Sequence, residues 1–127
     1  MIEALFNQPG YVGAKKMLDA TVLRHRALAS NLANLETPHY QRVDVAPSFH
    51  ADLKRAIAGG SVSQIASLQP RMAVDAEAIA SGRDGNTVHL ENELMQMSQN
   101  TVQNTFETQL VSSALLRLRV AITGRNP

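Results

Sequence analysis

The sequence has no cysteine and no tryptophan, and only three phenylalanines and two tyrosines among its 127 residues. Without cysteine there can be no disulfide, thiolate metal site or cysteine nucleophile. With so few rings, any core must be built from Leu, Val, Ile, Met and Ala, a palette that suits helices packed side by side. No apolar run approaches the roughly 20 residues of a membrane-spanning helix. The first residues also lack the basic, apolar and small-residue order of a secretory signal, so no direct membrane insertion is expected. An excess of positive charge is missing too: twelve Lys and Arg are scattered among eleven Asp and Glu. Without a sustained basic run, no nucleic-acid partner is indicated.

What the sequence does contain is helical periodicity. Over residues 11–35, apolar or small side chains recur at alternating spacings of three and four: Tyr11, Ala14, Leu18, Thr21 with Val22, His25, Leu28 with Ala29, Leu32 and Leu35. Pro9 and Gly10 break the chain before this segment, and Thr37-Pro38 ends it, because the residue before a proline is pushed out of helical dihedrals. A second apolar strip of Met17, Ala20, Leu23 and Ala27 lies beside the first, so this helix needs more than one neighbour.

Residues 88–123 form a run without Gly or Pro, far longer than an ordinary globular helix. The heptad seam reads Leu94, Met97, Thr101, Asn104, Thr108, Val111, Leu115, Leu118 and Ile122, which predicts coiled-coil packing with a polar middle. Between the two segments the chain is irregular and carries Pro47, Pro70, Gly59, Gly60, Gly82 and Gly85. Ser48 is a candidate cap for a short helix with Phe49, Leu53 and Ile57 on one face, ended by Gly59-Gly60. Residues 61–69 read as loop, and 71–80 is ambiguous between strand and helical turn. The expected fold is all-α: long N- and C-terminal helices packed antiparallel as a coiled-coil-like pair, with an irregular middle. The segments divide as 1–40, 41–86 and 87–127, together one domain.

Catalytic signatures are absent. The four histidines, His25, His39, His50 and His89, have no metal-binding spacing, and His25 reads as a packed or hydrogen-bonded interface residue. No G-x-S-x-G, P-loop or G-x-G-x-x-G sequence occurs. No catalytic, metal-binding or cofactor-binding residue, and hence no cofactor, is predicted.

The most specific stretch is residues 30–40, Ser-Asn-Leu-Ala-Asn-Leu-Glu-Thr-Pro-His-Tyr. Asn34 suits a helix end and Thr37-Pro38 an extended exit, while Asn31, one turn earlier on an apolar helix, can fix register against a partner. This string resembles the S-x-N-[LIV]-A-N-x-x-T-P-G-Y signature of flagellar rod and hook proteins, with His39 in place of the usual glycine. A left-handed or strained turn at His39 follows. A second string, Asp84-Gly85-Asn86-Thr87-Val88-His89-Leu90-Glu91-Asn92-Glu93-Leu94-Met95, is similar to the run that opens the long C-terminal helix of FlgB-type proximal-rod proteins. Here Asn86 or Thr87 is the expected N-cap, with His89 where aspartate is usual.

The resemblance implies a structural subunit of the flagellar basal-body rod in the periplasm. It implies export through the flagellar type III system, torque transmission and enclosure of the export channel. The implied partners are other copies of the chain, the rod proteins FlgC and FlgF, the FliE adaptor, and the MS-ring and export gate region. The residues expected at assembly interfaces are Leu18, Leu28, Leu32, Leu94, Leu115 and Leu118, with Asn31, Asn34 and Pro38 setting the helix exit. A soluble helical adaptor or export chaperone of the same system is the alternative. Because both helices are apolar on more than one face, the free monomer is expected to keep its termini mobile until assembly covers them.

Overall fold

The structure, a computed structural model, describes residues 2–124; Met1 and residues 125–127, the outer ends of the two terminal segments, lie outside the described residues. In chain order the elements are α1 (Ile2–Phe6), α2 (Pro9–Ala33), β1 (Val43–Val45), α3 (Pro47–Ala58), α4 (Val62–Ser67), β2 (Met72–Val74) and α5 (Leu90–Thr123). The protein is thus mostly helical, with its two long helices packed together.

Helix α2 starts with Pro9 in its first turn, where a missing N–H costs nothing, and ends at Asn34. Its N-terminal half crosses α3 closely enough that a Cβ on Gly13 would lie 2.7 Å from Ile57 Cδ1. The turn that follows passes through His39 in the left-handed region, at φ 58°, as the replacement of the usual glycine implied. The chain then enters β1, which pairs antiparallel with β2 in the register Val43 with Val74, Asp44 with Ala73 and Val45 with Met72. This small sheet resolves the ambiguous 71–80 segment. A three-residue strand is too short to declare itself by periodicity.

Helix α3 takes Ala46 as its N-cap and Pro47 as its first residue, so Ser48 lies inside the helix. Its inward face is Phe49, Leu53 and Ala56, and it stops at Gly59, with Gly60 at φ 69°. Residues 61–69, expected as loop, contain α4. Ser61 caps it by accepting from the Gln64 N–H, and Ile65 is fully buried. The core is Ala20, Val45, Phe49, Leu53, Ala56 and Ile65, flanked by Val12, Met17, Leu23 and Leu68. Burying Phe49, Leu53 and Ile65 stabilises the fold by about 1.5–3 kcal/mol each. Notably, α5 supplies none of these residues.

Helix α5 runs for 34 residues, about 51 Å. It lies antiparallel to α2: Glu93 meets Asn31, Asn100 and Glu107 meet Thr21, and Leu115 and Leu118 share a cavity with Tyr11. The covered positions include Glu93, Met97, Asn100, Asn104, Glu107, Val111, Ala114 and Leu118, a four-three alternation, with Gln96, Gln103 and Val120 half-buried beside it. Four of the nine expected seam residues, Met97, Asn104, Val111 and Leu118, are therefore in place. The other column is displaced by one residue, so that Glu93, Asn100, Glu107 and Ala114 face α2 while Leu94, Thr101, Thr108, Leu115 and Ile122 face outward. The physical reason is that α2 presents polar groups here, namely Asn31 and Thr21, which hydrogen-bond to a polar column and would be stranded by a leucine column.

Candidate functional site

The two motif strings interlock in space. Neither expected cap of α5, Asn86 or Thr87, serves as one: the Thr87 hydroxyl accepts the Arg42 N–H at 2.7 Å, and Asn86 turns its side chain onto the end of α2. Its Nδ2 donates to the carbonyls of Asn34, Leu35 and Thr37 at 2.9, 3.0 and 2.8 Å, while its Oδ1 accepts the Val88 N–H at 2.8 Å. Helix C-termini leave carbonyls without partners, and one buried amide serves that need here. Helix α5 begins later, at Leu90, with His89 as a backbone N-cap that makes no side-chain capping bond. Around Asn86, the His39 N–H donates to Asp84 O at 2.8 Å and the Thr87 N–H donates to Tyr40 O at 3.1 Å. Gly85 takes φ 71°, and a Cβ there would lie 2.7 Å from His39 Nδ1, so the left-handed histidine and the glycine fit together.

One turn back, the fully buried Asn31 amide treats Val43 as a strand partner. Its Nδ2 donates to Val43 O at 2.8 Å and to Glu93 Oε2 at 3.0 Å, and its Oδ1 accepts the Val43 N–H at 3.0 Å. Asn31 thus joins α2, β1 and α5 at one point. Asn34 acts locally, its Nδ2 donating to Ser30 O and its Oδ1 accepting from the Thr37 hydroxyl.

Beside Asn31 lies a buried arginine that sequence reasoning missed. Arg42 donates through Nε to Glu93, through Nη1 to Asp75 at 2.7 Å, and through Nη2 to Asp44 at 3.0 Å and to Gln96. Arg24 completes the cluster with a two-pronged contact to Asp44, at 3.0 and 3.3 Å, and a bond to Gln96 at 2.9 Å. Burial opposes the charged form of Arg42, but the hydrogen bonds and charges of Glu93 and Asp44 outweigh it and hold the guanidinium above its ordinary range. Burial likewise pushes the Asp44 carboxyl up, and Arg24, the Val45 amide and Arg42 more than offset that, leaving it below its ordinary value. Arginine suits such a hub because its planar fork presents five donors at fixed angles.

Farther along α5, Thr21 is the meeting point. Asn100 Nδ2 donates to Thr21 O at 2.9 Å, Asn104 Nδ2 to Thr21 Oγ1 at 3.0 Å, and Thr21 Oγ1 lies 3.1 Å from Glu107 Oε2. Gln103 covers the other Glu107 oxygen at 3.0 Å. Asn100 Oδ1 is buried with no partner among the described residues. The α2–α5 contact is therefore a ladder of hydrogen bonds more than an oily seam.

Of the residues expected at assembly interfaces, Leu28, Asn31 and Leu118 are buried, Leu18, Leu32 and Asn34 are half-buried, and Pro38 is exposed. Leu94 and Leu115 are 52% and 43% exposed. The structure brings Asn31 and Asn34 into one network with Arg42, Asn86 and Glu93, none of which was singled out for this role. The available signal was the seven-residue spacing of Glu93, Asn100 and Glu107; Arg42 carried none. His25, His39 and His50 are exposed, and His89 Nε2 lies 2.9 Å from Ile79 O. Among the described residues, no group of three His, Cys, Asp or Glu side chains is placed to hold a metal, and no helix is long and apolar enough to cross a membrane. What the arrangement does chemically is to fix three elements in register through polar contacts, leaving the apolar columns of α5 outside.

No protein-family model matches the chain. It is 32% identical over 109 residues to the flagellar basal body rod protein FlgB of Cereibacter sphaeroides, covering 80% of this chain and 84% of that one. FlgB of Salmonella typhimurium is 27% identical over 128 residues, 88% of this chain and 91% of its own. FlgB of Aquifex aeolicus is 27% identical over 113 residues, 87% and 90%. Similarity over nearly the whole length, joined to the two interlocked motifs, places this chain in the FlgB family of flagellar basal body rod proteins.

Proposed function

We propose that the chain is a proximal-rod subunit that transmits motor torque through packed helices and helps enclose the export channel. In this reading it crosses to the periplasmic rod through the flagellar type III system and packs there against other copies, FlgC, FlgF, the FliE adaptor and the MS-ring and export gate region. The assembly contacts are carried by Leu18, Leu32, Leu94 and Leu115, while Leu28, Leu118, Asn31, Asn34 and Pro38 hold the subunit in the shape those contacts require. The observation that supports this most directly is α5 itself: Leu118 is its only buried apolar residue, while Leu94, Met95, Val102, Phe106, Leu110, Leu115, Leu116 and Ile122 are exposed. A 34-residue helix with that much apolar surface open is built to be covered by other chains. Torque can pass through such contacts with no cofactor. Electron microscopy of purified basal bodies carrying a tagged chain tests this: density within the rod next to the inner-membrane ring is expected, and absence of the tag from basal bodies overturns it.

A further inference from the structure

The small sheet has two outer edges, and only one of them is closed. The Ala46 N–H donates to Arg71 O and the Asp75 N–H to Arg42 O, both at 2.8 Å, so in the register of β1 with β2 residues 71, 73 and 75 direct their backbone groups at β1. Met72 and Val74 alternate with them and point their N–H and C=O groups the other way. On the β1 side the equivalent outward groups of Val43 are taken up by Asn31. No hydrogen bond from the described residues reaches those of Met72 and Val74. Side chains do not bury this edge either: Met72 is 42% and Val74 54% exposed, and Arg71 is exposed. An open edge of this kind is a template for another strand.

We propose that β2 pairs antiparallel with β2 of a second copy about a two-fold axis at Ala73, joining the two small sheets into one. The occupant follows from the order Arg71-Met72-Ala73-Val74-Asp75, which is complementary to its own reverse. With Ala73 opposite Ala73, Met72 of each copy lies opposite Val74 of the other. These are the residues with free backbone groups, and each such pair exchanges two N–H···O bonds. Their exposed side chains meet on one face as an apolar cross-strand pair. On the opposite face Arg71 of each copy stands across from Asp75 of the other, so opposite charges meet with only the small Ala73 between the two pairs. Asp75 is half-buried and bound to Arg42 at 2.7 Å, and Arg71 adds a second cation at its open side. Because the same edge serves on both copies, the contact closes at two and leaves no edge of β2 open. It is a small contact and therefore a weak one, made by the free chain. It is separate from the α5 contacts of the rod and does not rest on the rod-subunit reading.

The natural chain lacks cysteine, so disulfide trapping has no background. Across the axis the two Ala73 Cα atoms lie about 4.5 Å apart, the spacing of a pair without mutual backbone bonds, and a disulfide spans that distance. The purified Ala73→Cys chain is expected to form a disulfide-linked dimer under mild oxidation at least tenfold faster than Gln69→Cys, which is exposed but well off the axis. Val74→Pro removes an outward N–H and none of the bonds to β1, and proline is tolerated on a strand edge that faces solvent. Added to Ala73→Cys, it should keep the far-UV spectrum and Tm while dimer formation falls at least tenfold. Equal rates for Ala73→Cys and Gln69→Cys overturn the proposal, as does dimer formation that Val74→Pro leaves unchanged. If Val74→Pro lowers the Tm, Arg71→Glu decides instead: this exposed change sets a like charge against Asp75 of the second copy, and an undiminished rate overturns the pairing. Capture of a different rod protein only, when basal bodies carrying Ala73→Cys are treated with a short thiol-to-lysine crosslinker, gives the edge another occupant and also overturns it.

Discussion

The Asn31 side chain and the Val43 backbone bond to each other twice, Val43 N–H to Oδ1 at 3.0 Å and Nδ2 to Val43 O at 2.8 Å. An asparagine amide has the same donor and acceptor spacing as a peptide group, so α2 supplies β1 with the strand neighbour that its outer edge lacks. Replacing Asn31 with Leu removes both bonds and the contact to Glu93 Oε2 at 3.0 Å. Each buried group left unpaired costs about 1–3 kcal/mol. A large fall in the urea midpoint of the monomer is expected, with slower rod assembly as a consequence. An unchanged midpoint would mean that Asn31 acts only between subunits.

Asn86 should behave as the remote cap of α2. Asn86→Ala leaves the carbonyls of Asn34, Leu35 and Thr37 short of a donor, and a loss of about 1–3 kcal/mol is expected. Asn86→Asp should be worse, since a carboxylate would face those carbonyls with no hydrogen to give. Chemical denaturation of the two variants checks the order, and an Asp variant as stable as the Ala variant contradicts the capping role.

Glu107 is buried against Thr21 and Gln103, with no cation bonded to it among the described residues. In Glu107→Gln the amide oxygen can still accept from Gln103, and the new Nε2 can donate to Thr21 Oγ1. The variant keeps the hydrogen bonds and loses the cost of enclosing a charge. Stabilisation on the order of 1 kcal/mol at neutral pH is expected, read as a rise in Tm; a fall in Tm means that the carboxylate itself is needed.

Acid should weaken the Arg42 cluster through Asp44. The Asp44 carboxyl is held below its ordinary value, so between its folded-state and unfolded-state pKa the unfolded chain binds more protons and stability rises with pH. The contribution is complete above about pH 4–5 and is lost as pH falls through the folded-state pKa. Asp44→Asn should lower stability at neutral pH and flatten its pH dependence in the acid range below about pH 4. A parallel curve for the variant rules out Asp44 as a source of acid sensitivity. Arg42, held above its ordinary range, stays charged throughout and adds no window of its own here.

Hydrogen exchange on dilute monomer should divide α5 in two. Through Glu107 the helix is tied to α2 by Asn31 and Thr21 and to the start of β1 by Arg42. Beyond it Leu118 is the only buried side chain, while Leu110, Leu115, Leu116 and Ile122 face solvent. Few buried contacts mean low local opening energies. The expected mobility of the termini before assembly should accordingly concentrate in α1 and in residues 110–123. Equal protection along all of α5 argues against this division.

The sequence by itself determined the large elements and the kinship. Pro9 and Thr37-Pro38 bracket α2, the absence of Gly and Pro over 88–123 permits one long helix, and two short strings carry the family resemblance. These are local signals, each legible because a single residue type restricts its own backbone. Only the tertiary structure decided which column of α5 turns inward. A heptad pattern states that a helix has apolar columns but not whether their partner is the same chain or another. Here the polar column Glu93, Asn100, Glu107 faces α2, because Asn31, Arg42 and Thr21 offer hydrogen bonds that a leucine cannot take up. The roles of Arg42 and Asn86 were hidden for the same reason: their partners lie up to 54 residues away in sequence, and nothing local announces a partner that folding alone brings near.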